Sequence, residues 1–324
     1  MLTLDRILVP TDFSDGASAA YAYANALAAK YGGKIDLLHV IPSFRYLHES
    51  ISRLGLPIDM DKDIYPPMIH ETSQRLRREM ERAIKAENRG EALVKVDFKA
   101  SDCISHQAEA RHADVVVMGS IGAGNHHLFS GSTTERVIRG CSVPVLSVPL
   151  DSVPGNVNHI LVPTDYSENS FHALRGAISM ADSLDASITV FHVVELYGSL
   201  SENEPRDAGR DELDAIKDKL AERMEAWMAR NPSFGLHMDR DGGQTELVLR
   251  KGSNERRVPI RIEVTKGLAA HHDIIDFANG NADMIVMTTH GRSGLNHLFL
   301  GSTTERVVHA THIPALTWRP VKNG

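Results

Sequence analysis

Two motifs, each present twice, carry the residues best suited to chemistry. The first is Pro10-Thr11-Asp12, repeated as Pro163-Thr164-Asp165, and each copy follows an apolar run. A short loop at the carboxyl end of a strand lies on the rim where open α/β sheets bind ligands. An aspartate there can accept from an amino group or a ribose hydroxyl. The same side chain can instead close an Asx turn or cap a helix, so the motif alone leaves both roles open. The second motif is glycine-rich. It reads Met118-Gly-Ser-Ile-Gly122-Ala-Gly124 followed by Gly131-Ser-Thr-Thr134, and Met287-Thr-Thr-His-Gly291-Arg-Ser-Gly294 followed by Gly301-Ser-Thr-Thr304. Glycines let a backbone approach a phosphate, and free N–H groups at a helix start attract anions. Neither copy is a complete P-loop, and no GxGxxG opens a helix after the first strand. Ser132-Thr-Thr-Glu135 and Ser302-Thr-Thr-Glu305 also fit a capping box, which needs no ligand.

Other chemistries find little support. The seventeen histidines include the adjacent pairs His126-His127 and His271-His272, but no metal-ligand spacing, and they read as solvated or packed. His39 and His192 each end a strand, where rim and core roles are equally compatible with the pattern. No serine sits in a GxSxG elbow. Cys103 and Cys141 have no partner motif and fit a reducing compartment. The charge runs Arg75–Arg82 and Arg210–Arg223 read as solvated helix faces.

The elements that must position these motifs come in two sets. Ile7-Leu-Val-Pro-Thr-Asp-Phe-Ser14 returns as Ile160-Leu-Val-Pro-Thr-Asp-Tyr-Ser167, an offset of 153. His127–Ile138 returns as His297–Val308 at an offset of 170, so a whole domain is duplicated and the second copy carries a net insertion. The turn formers of Asp151–Asn156 mark the join. Strands are expected at Arg6–Val9, Lys34–Val40, Leu93–Phe98, Val115–Met118 and Val143–Val148. Second-copy strands are expected at His159–Val162, Val258–Val264, Met284–Met287 and Ile313–Trp318, with Val190–Val193 matching the end of strand two. A helix capped by Ser14 or Asp15 and stopped by Gly32-Gly33 follows the first strand. Amphipathic helices are expected near Met68–Asn88 and Glu212–Ala229. Ser43–Pro67 and Asn231–Arg257 read as loops or lids, the latter with room for a hairpin. Repeated strand–helix alternation implies an α/β fold with a mainly parallel sheet.

At 324 residues the chain has room for two domains, and its 42% hydrophobic content suffices for packed cores. A net charge of −7 without a basic stripe argues against nucleic-acid binding. Apolar runs are strand-sized, and the first residues lack the pattern of a secretory signal, so a cytoplasmic protein without a membrane span is expected.

Taken together, the Val-Pro-Thr-Asp strand ends, the His-Val after strand two and the Gly-rich segment closing in Gly-Ser resemble the universal stress protein family in its tandem form. The resemblance covers nearly all of both halves. It implies two Rossmann-like (adenine nucleotide alpha hydrolase-like) domains, 1–150 and 157–320, each with a five-stranded parallel sheet ordered 3-2-1-4-5. Strands one and four would then adjoin at the switch point and bring both motifs to one crevice. In the family's ATP-binding branch the motif is Gly, two residues, Gly, nine residues, then Gly-Ser or Gly-Thr. The second half replaces the first glycine by Thr288 but keeps the spacing to Gly291 and Gly301-Ser302, while the first half has only eight residues between Gly122 and Gly131.

By the family's pattern Thr164, Asp165 and Val193 would hold adenine and ribose, and Thr288, Gly291, Arg292, Gly301, Ser302 and Thr303 the phosphates. Their first-half equivalents are Thr11, Asp12, Val40, Gly119, Gly122, Gly131, Ser132 and Thr133. Arg292 has no basic counterpart in the first half, which with the intact spacing favours the second site. The resemblance also implies pairing of the two halves through Val143–Val148 and Ile313–Trp318, with a homodimer as a further possibility. The function it implies is a cytoplasmic stress-response sensor or switch that binds ATP, with Mg2+. Alternatives are slow ATP hydrolysis or self-phosphorylation on Ser302, Thr303 or Thr304, and a nucleotide-free interaction module.

Overall fold

The computed structural model describes residues 4–43, 59–120, 133–196, 210–240, 245–251, 254–289 and 300–319. It divides into two compact units that part between Pro154 and Gly155, inside the expected turn-forming stretch.

The first unit opens with β1 (Arg6–Pro10), whose last four residues are buried. Helix α1 (Asp15–Tyr31) begins where the Ser14 hydroxyl accepts from the Ala17 N–H and ends where Gly32 turns left-handed at φ 75°. Strand β2 (Lys34–Pro42) follows, then α2 (Tyr65–Ala83), β3 (Arg89–Asp97), α3 (Ala100–Ala110), β4 (Val115–Gly119), α4 (Thr133–Gly140) and β5 (Val145–Val148). The sheet is wholly parallel in the order β3-β2-β1-β4-β5. Helices α1 and α2 touch each other, as do α3 and α4, so each pair covers one face. Leu8, Leu37, Val116 and Leu146, all at most 1% exposed, form the sheet's part of the core.

The second unit repeats this plan with β6 (His159–Pro163), α5 (Glu168–Leu184), β7 (Ser187–Glu195), α6 (Arg210–Arg230), β8 (Leu236–Asp239), β9 (Thr245–Lys251), β10 (Asn254–Gly267), α7 (Ala270–Asn281), β11 (Met284–Thr288), α8 (Ser302–Ala310) and β12 (Ala315–Trp318). Its parallel strands run β10-β7-β6-β11-β12, the expected 3-2-1-4-5 order.

Several expectations need correction. Much of Asn231–Arg257 is not a lid: β8 and β9 pair antiparallel, and β9 pairs antiparallel with the first half of β10. The second half of β10 pairs parallel with β7, so the insertion enlarges the sheet to seven strands. Leu247 and Val248 are adjacent in β9 and both buried, so both faces of the meander are covered at its middle, while Arg250 is exposed toward its end. The first amphipathic helix starts at Tyr65 rather than Met68, because Pro66 and Pro67 are tolerated in a first turn, and it ends at Ala83 rather than Asn88. Residues 44–58 of the other expected loop lie outside the described residues.

Gly119, last residue of β4, is held in place by packing. A Cβ built there would collide with the backbone carbonyl of Gly16 in α1. Two backbones thus approach where no side chain fits. Gly119→Ala is expected to destabilise the protein by about 1–3 kcal/mol, read from urea denaturation by circular dichroism. An unchanged midpoint would mean that α1 slides away freely.

Candidate functional site

The loop after each first strand is built the same way. The Thr164 hydroxyl bonds Ser170 Oγ at 2.7 Å and accepts from the Tyr166 N–H at 3.2 Å. Thr11 does the equivalent with Tyr21 Oη at 2.5 Å and the Phe13 N–H at 3.0 Å. Asp165 accepts from the backbone and hydroxyl of Ser167, and Asp12 from those of Ser14. The aspartates therefore do close Asx turns, and the serines they hold cap the helices that follow. That turn role leaves room for a ligand role beside it.

The sequence gives no hint of the backbone between these residues. Phe13 and Tyr166 adopt φ of 63° and 66°, left-handed values that are uncommon for aromatic residues. Each ring lies against a histidine, with centroids 4.6 Å apart for Phe13–His39 and 4.2 Å for Tyr166–His192. The histidines are tied to the same loop, since His39 Nδ1 lies 2.8 Å from the Thr11 carbonyl and His192 Nδ1 2.8 Å from that of Thr164. A carbonyl only accepts, so each Nδ1 carries the proton. His39 and His192 thus hold the rim loop in shape.

Burial is the main force lowering the pKa of His39 from 6.5, and the Arg75 guanidinium adds to it, against the Thr11 bond and Asp12, which raise it. A base whose folded pKa is depressed takes up its proton in the unfolded chain first. Stability from this group is therefore full above pH 6.5 and falls as pH drops from there toward the folded pKa. His39→Gln is expected to flatten that part of the stability–pH profile, measured by urea denaturation between pH 7 and pH 5. An unaltered slope would assign the acid sensitivity to other groups, such as His172, which burial likewise lowers.

In the second unit the carboxyl ends of the strands open into a cavity of about 690 Å³. Thr164, Asp165 and Val193 line it, together with Thr288, Gly301, Ser302 and Thr303. Gly291 and Arg292 lie outside the described residues. The expected capping box is not made at this end of α8. Gly301 is the N-cap, no side chain among the described residues caps the helix, and the Gly301 N–H donates to the Thr289 carbonyl at 2.9 Å. Ser302 is exposed at the first helical position instead. The helix is anchored by the next threonine, since buried Thr304 donates to the Thr288 carbonyl at 2.9 Å. Thr304 is thereby engaged, and only Ser302 and Thr303 of the three candidate phosphoacceptors present accessible hydroxyls.

The first unit shows the same anchor, Thr134 to the Gly119 carbonyl at 2.7 Å. Thr11, Asp12, Val40, Gly119 and Thr133 stand at its strand ends and at the start of α4. Gly122, Gly131 and Ser132 fall outside the described residues. The pKa of the Cys103 thiol is raised to about 11 chiefly by burial, and Cys103 and Cys141 are both buried and read as packing residues.

Among the cavity residues that the sequence does not single out, which include Glu195 and Glu212, two are basic. Lys219 and Arg223 belong to the charge run taken for a solvated face, yet α6 places both at the cavity. Their spacing of one helical turn was the available signal, but which way that turn faces depends on how α6 packs.

A doubly wound α/β sheet with a cavity where the strand order reverses defines a ligand-binding class of fold. This chain belongs to the universal stress protein family: the family's model matches residues 3–149 and again 156–319. A universal stress protein of Methanocaldococcus jannaschii is 32% identical over 164 residues, covering 50% of this chain and 82% of that one. A universal stress protein of Synechocystis is 25% identical over 98% of this chain and all of its own length, the same two-unit extent. The crystal structure of a universal stress protein from Archaeoglobus fulgidus shares the fold, with a TM-score of 0.65, 20% identity and 98% coverage of both chains. Among the described residues, no helix is long and apolar enough to cross a membrane.

Proposed function

We propose that the second unit binds ATP, with Mg2+, and that the protein serves as a cytoplasmic stress-response sensor or switch. The observation that carries this reading is the uncapped start of α8 opening into a cavity of about 690 Å³. A helix start with unpartnered N–H groups suits a phosphate, and a self-capped helix over a closed crevice would have favoured the interaction module instead. Thr164, Asp165 and Val193 would take the adenosine. Thr288, Gly301, Ser302 and Thr303 would take the phosphates, joined by Gly291 and Arg292. Supporting the second unit over the first is its unshortened Gly-rich spacing.

The test is calorimetric titration of nucleotide-stripped protein with MgATP. Saturable heat at one site per chain, lost in Gly291→Val and kept in Gly122→Val, is the expected result. Absence of heat and of any thermal shift at millimolar ATP would overturn the reading.

A further inference from the structure

We propose that Lys219 and Arg223 form a phosphate clamp that makes the second unit select a nucleoside polyphosphate over a nucleoside, and that the first unit lacks this clamp. The inference rests on the nucleotide reading above. Helix α6 buries Leu220, Met224 and Trp227 and leaves Lys219 and Arg223 exposed, one turn apart, on the cavity wall. The guanidinium of Arg223 lies 5.4 Å from the Tyr166 ring centroid, and Tyr166 Oη donates to the Ile216 carbonyl at 3.1 Å. The rim loop and α6 thus hold each other in register.

The cavity wall carries three carboxylates, Asp165, Glu195 and Glu212, and two cations, Lys219 and Arg223, so what matters is which charges already have partners. Two of its carboxylates are engaged by neutral donors, Asp165 by Ser167 and Glu195 by the Ala270 N–H at 2.8 Å, and Glu212 is ion-paired with Lys266, its Oε2 3.9 Å from Nζ. Lys217, two residues earlier on the same helix, pairs with Glu263 at 3.5 Å. Lys219 and Arg223 make no ion pair among the described residues. Two unpaired cations held one turn apart on a cavity wall attract the multiple charges of a polyphosphate and leave an uncharged nucleoside indifferent.

The first unit differs at one point. Arg75 sits 3.9 Å from the Phe13 centroid, as Arg223 sits over Tyr166, yet one turn before it stands exposed Glu71 where α6 has Lys219. A carboxylate at that place repels a polyphosphate.

The experiment is calorimetry on the full chain with MgATP and with adenosine, using Lys219→Glu and Glu71→Lys, both exposed positions where folding is little affected. Lys219→Glu is expected to weaken ATP about tenfold or more and to leave adenosine unchanged. It should also flatten the fall of ATP affinity with added salt. Glu71→Lys is expected to add a second, weaker ATP site at the first unit, and one site only in that variant would overturn the contrast drawn between the units. An unchanged ATP affinity in Lys219→Glu, or an equal loss for ATP and adenosine, would overturn the clamp while the nucleotide reading stands. Wild-type protein binding neither ligand would overturn both.

Discussion

Ser302→Asp is expected to weaken ATP binding on the order of 100-fold while leaving the protein at least as stable as the wild type. The two effects have one cause. Ser302 occupies the first helical position of α8, where no side chain among the described residues caps the helix. A carboxylate there meets the first N–H groups of the helix and the positive end of the helix dipole, a gain of about 0.3–1 kcal/mol. It also occupies the ground proposed for a phosphate, as a negative charge facing another. Calorimetry and a thermal melt on the same sample separate the outcomes. Undiminished ATP binding would move the phosphates away from α8, and a joint loss of binding and stability would point to damage to the fold. Ser302→Ala is the control for stability, expected to move the melt little, because the Ser302 hydroxyl makes no hydrogen bond among the described residues.

Trp227→Ala is the substitution expected to damage the structure most, by about 3–5 kcal/mol. Trp227 is 1% exposed, with its ring centroid 5.5 Å from His172, 5.6 Å from Phe234 and 6.1 Å from Phe171. This cluster joins α6 to α5 and to the turn before β8, and no neighbour can fill an indole-sized void. The chain has two tryptophans, Trp227 and Trp318, both in the second unit. In the variant the emission of Trp318, which packs against Gly176, therefore follows that unit alone during urea denaturation. A loss below about 1 kcal/mol would show that α6 is held by other contacts. Because Lys219 and Arg223 ride on the same helix, loosening it should also reduce the preference for ATP over adenosine, through geometry rather than charge.

The parallel strands, the helix after the first of them and the duplication were legible because their information is local. Apolar runs such as Val115–Met118 are of the kind found in strands buried on both faces, and Ser14 and Gly32 bracket α1 with residues suited to those backbone angles. The meander was half legible: Asp241-Gly-Gly243 suggested a hairpin, but short alternating segments do not say what they pair with. Pairing β9 to β10 requires an edge to add to, and only the assembled sheet supplies one. The capping box misled for a related reason. Ser302 and Glu305 have the right spacing, but the strand end at Thr289 takes the Gly301 N–H first and starts the helix one residue early.

What the sequence determined by itself was the set of parts: two copies of a strand–loop–helix set, each with an aspartate at one strand end and a Gly-Ser-Thr-Thr segment beyond another. Hydrogen-bond capacity and side-chain periodicity fix such units over a few residues. Tertiary structure alone decided their convergence. Strand order puts β6 beside β11, which brings Asp165 and Ser302 to one cavity from more than a hundred residues apart. The packing of Trp227 turns Lys219 and Arg223 toward that cavity. Orientation of this kind depends on which surfaces exclude water from one another, and no stretch of chain contains that information on its own.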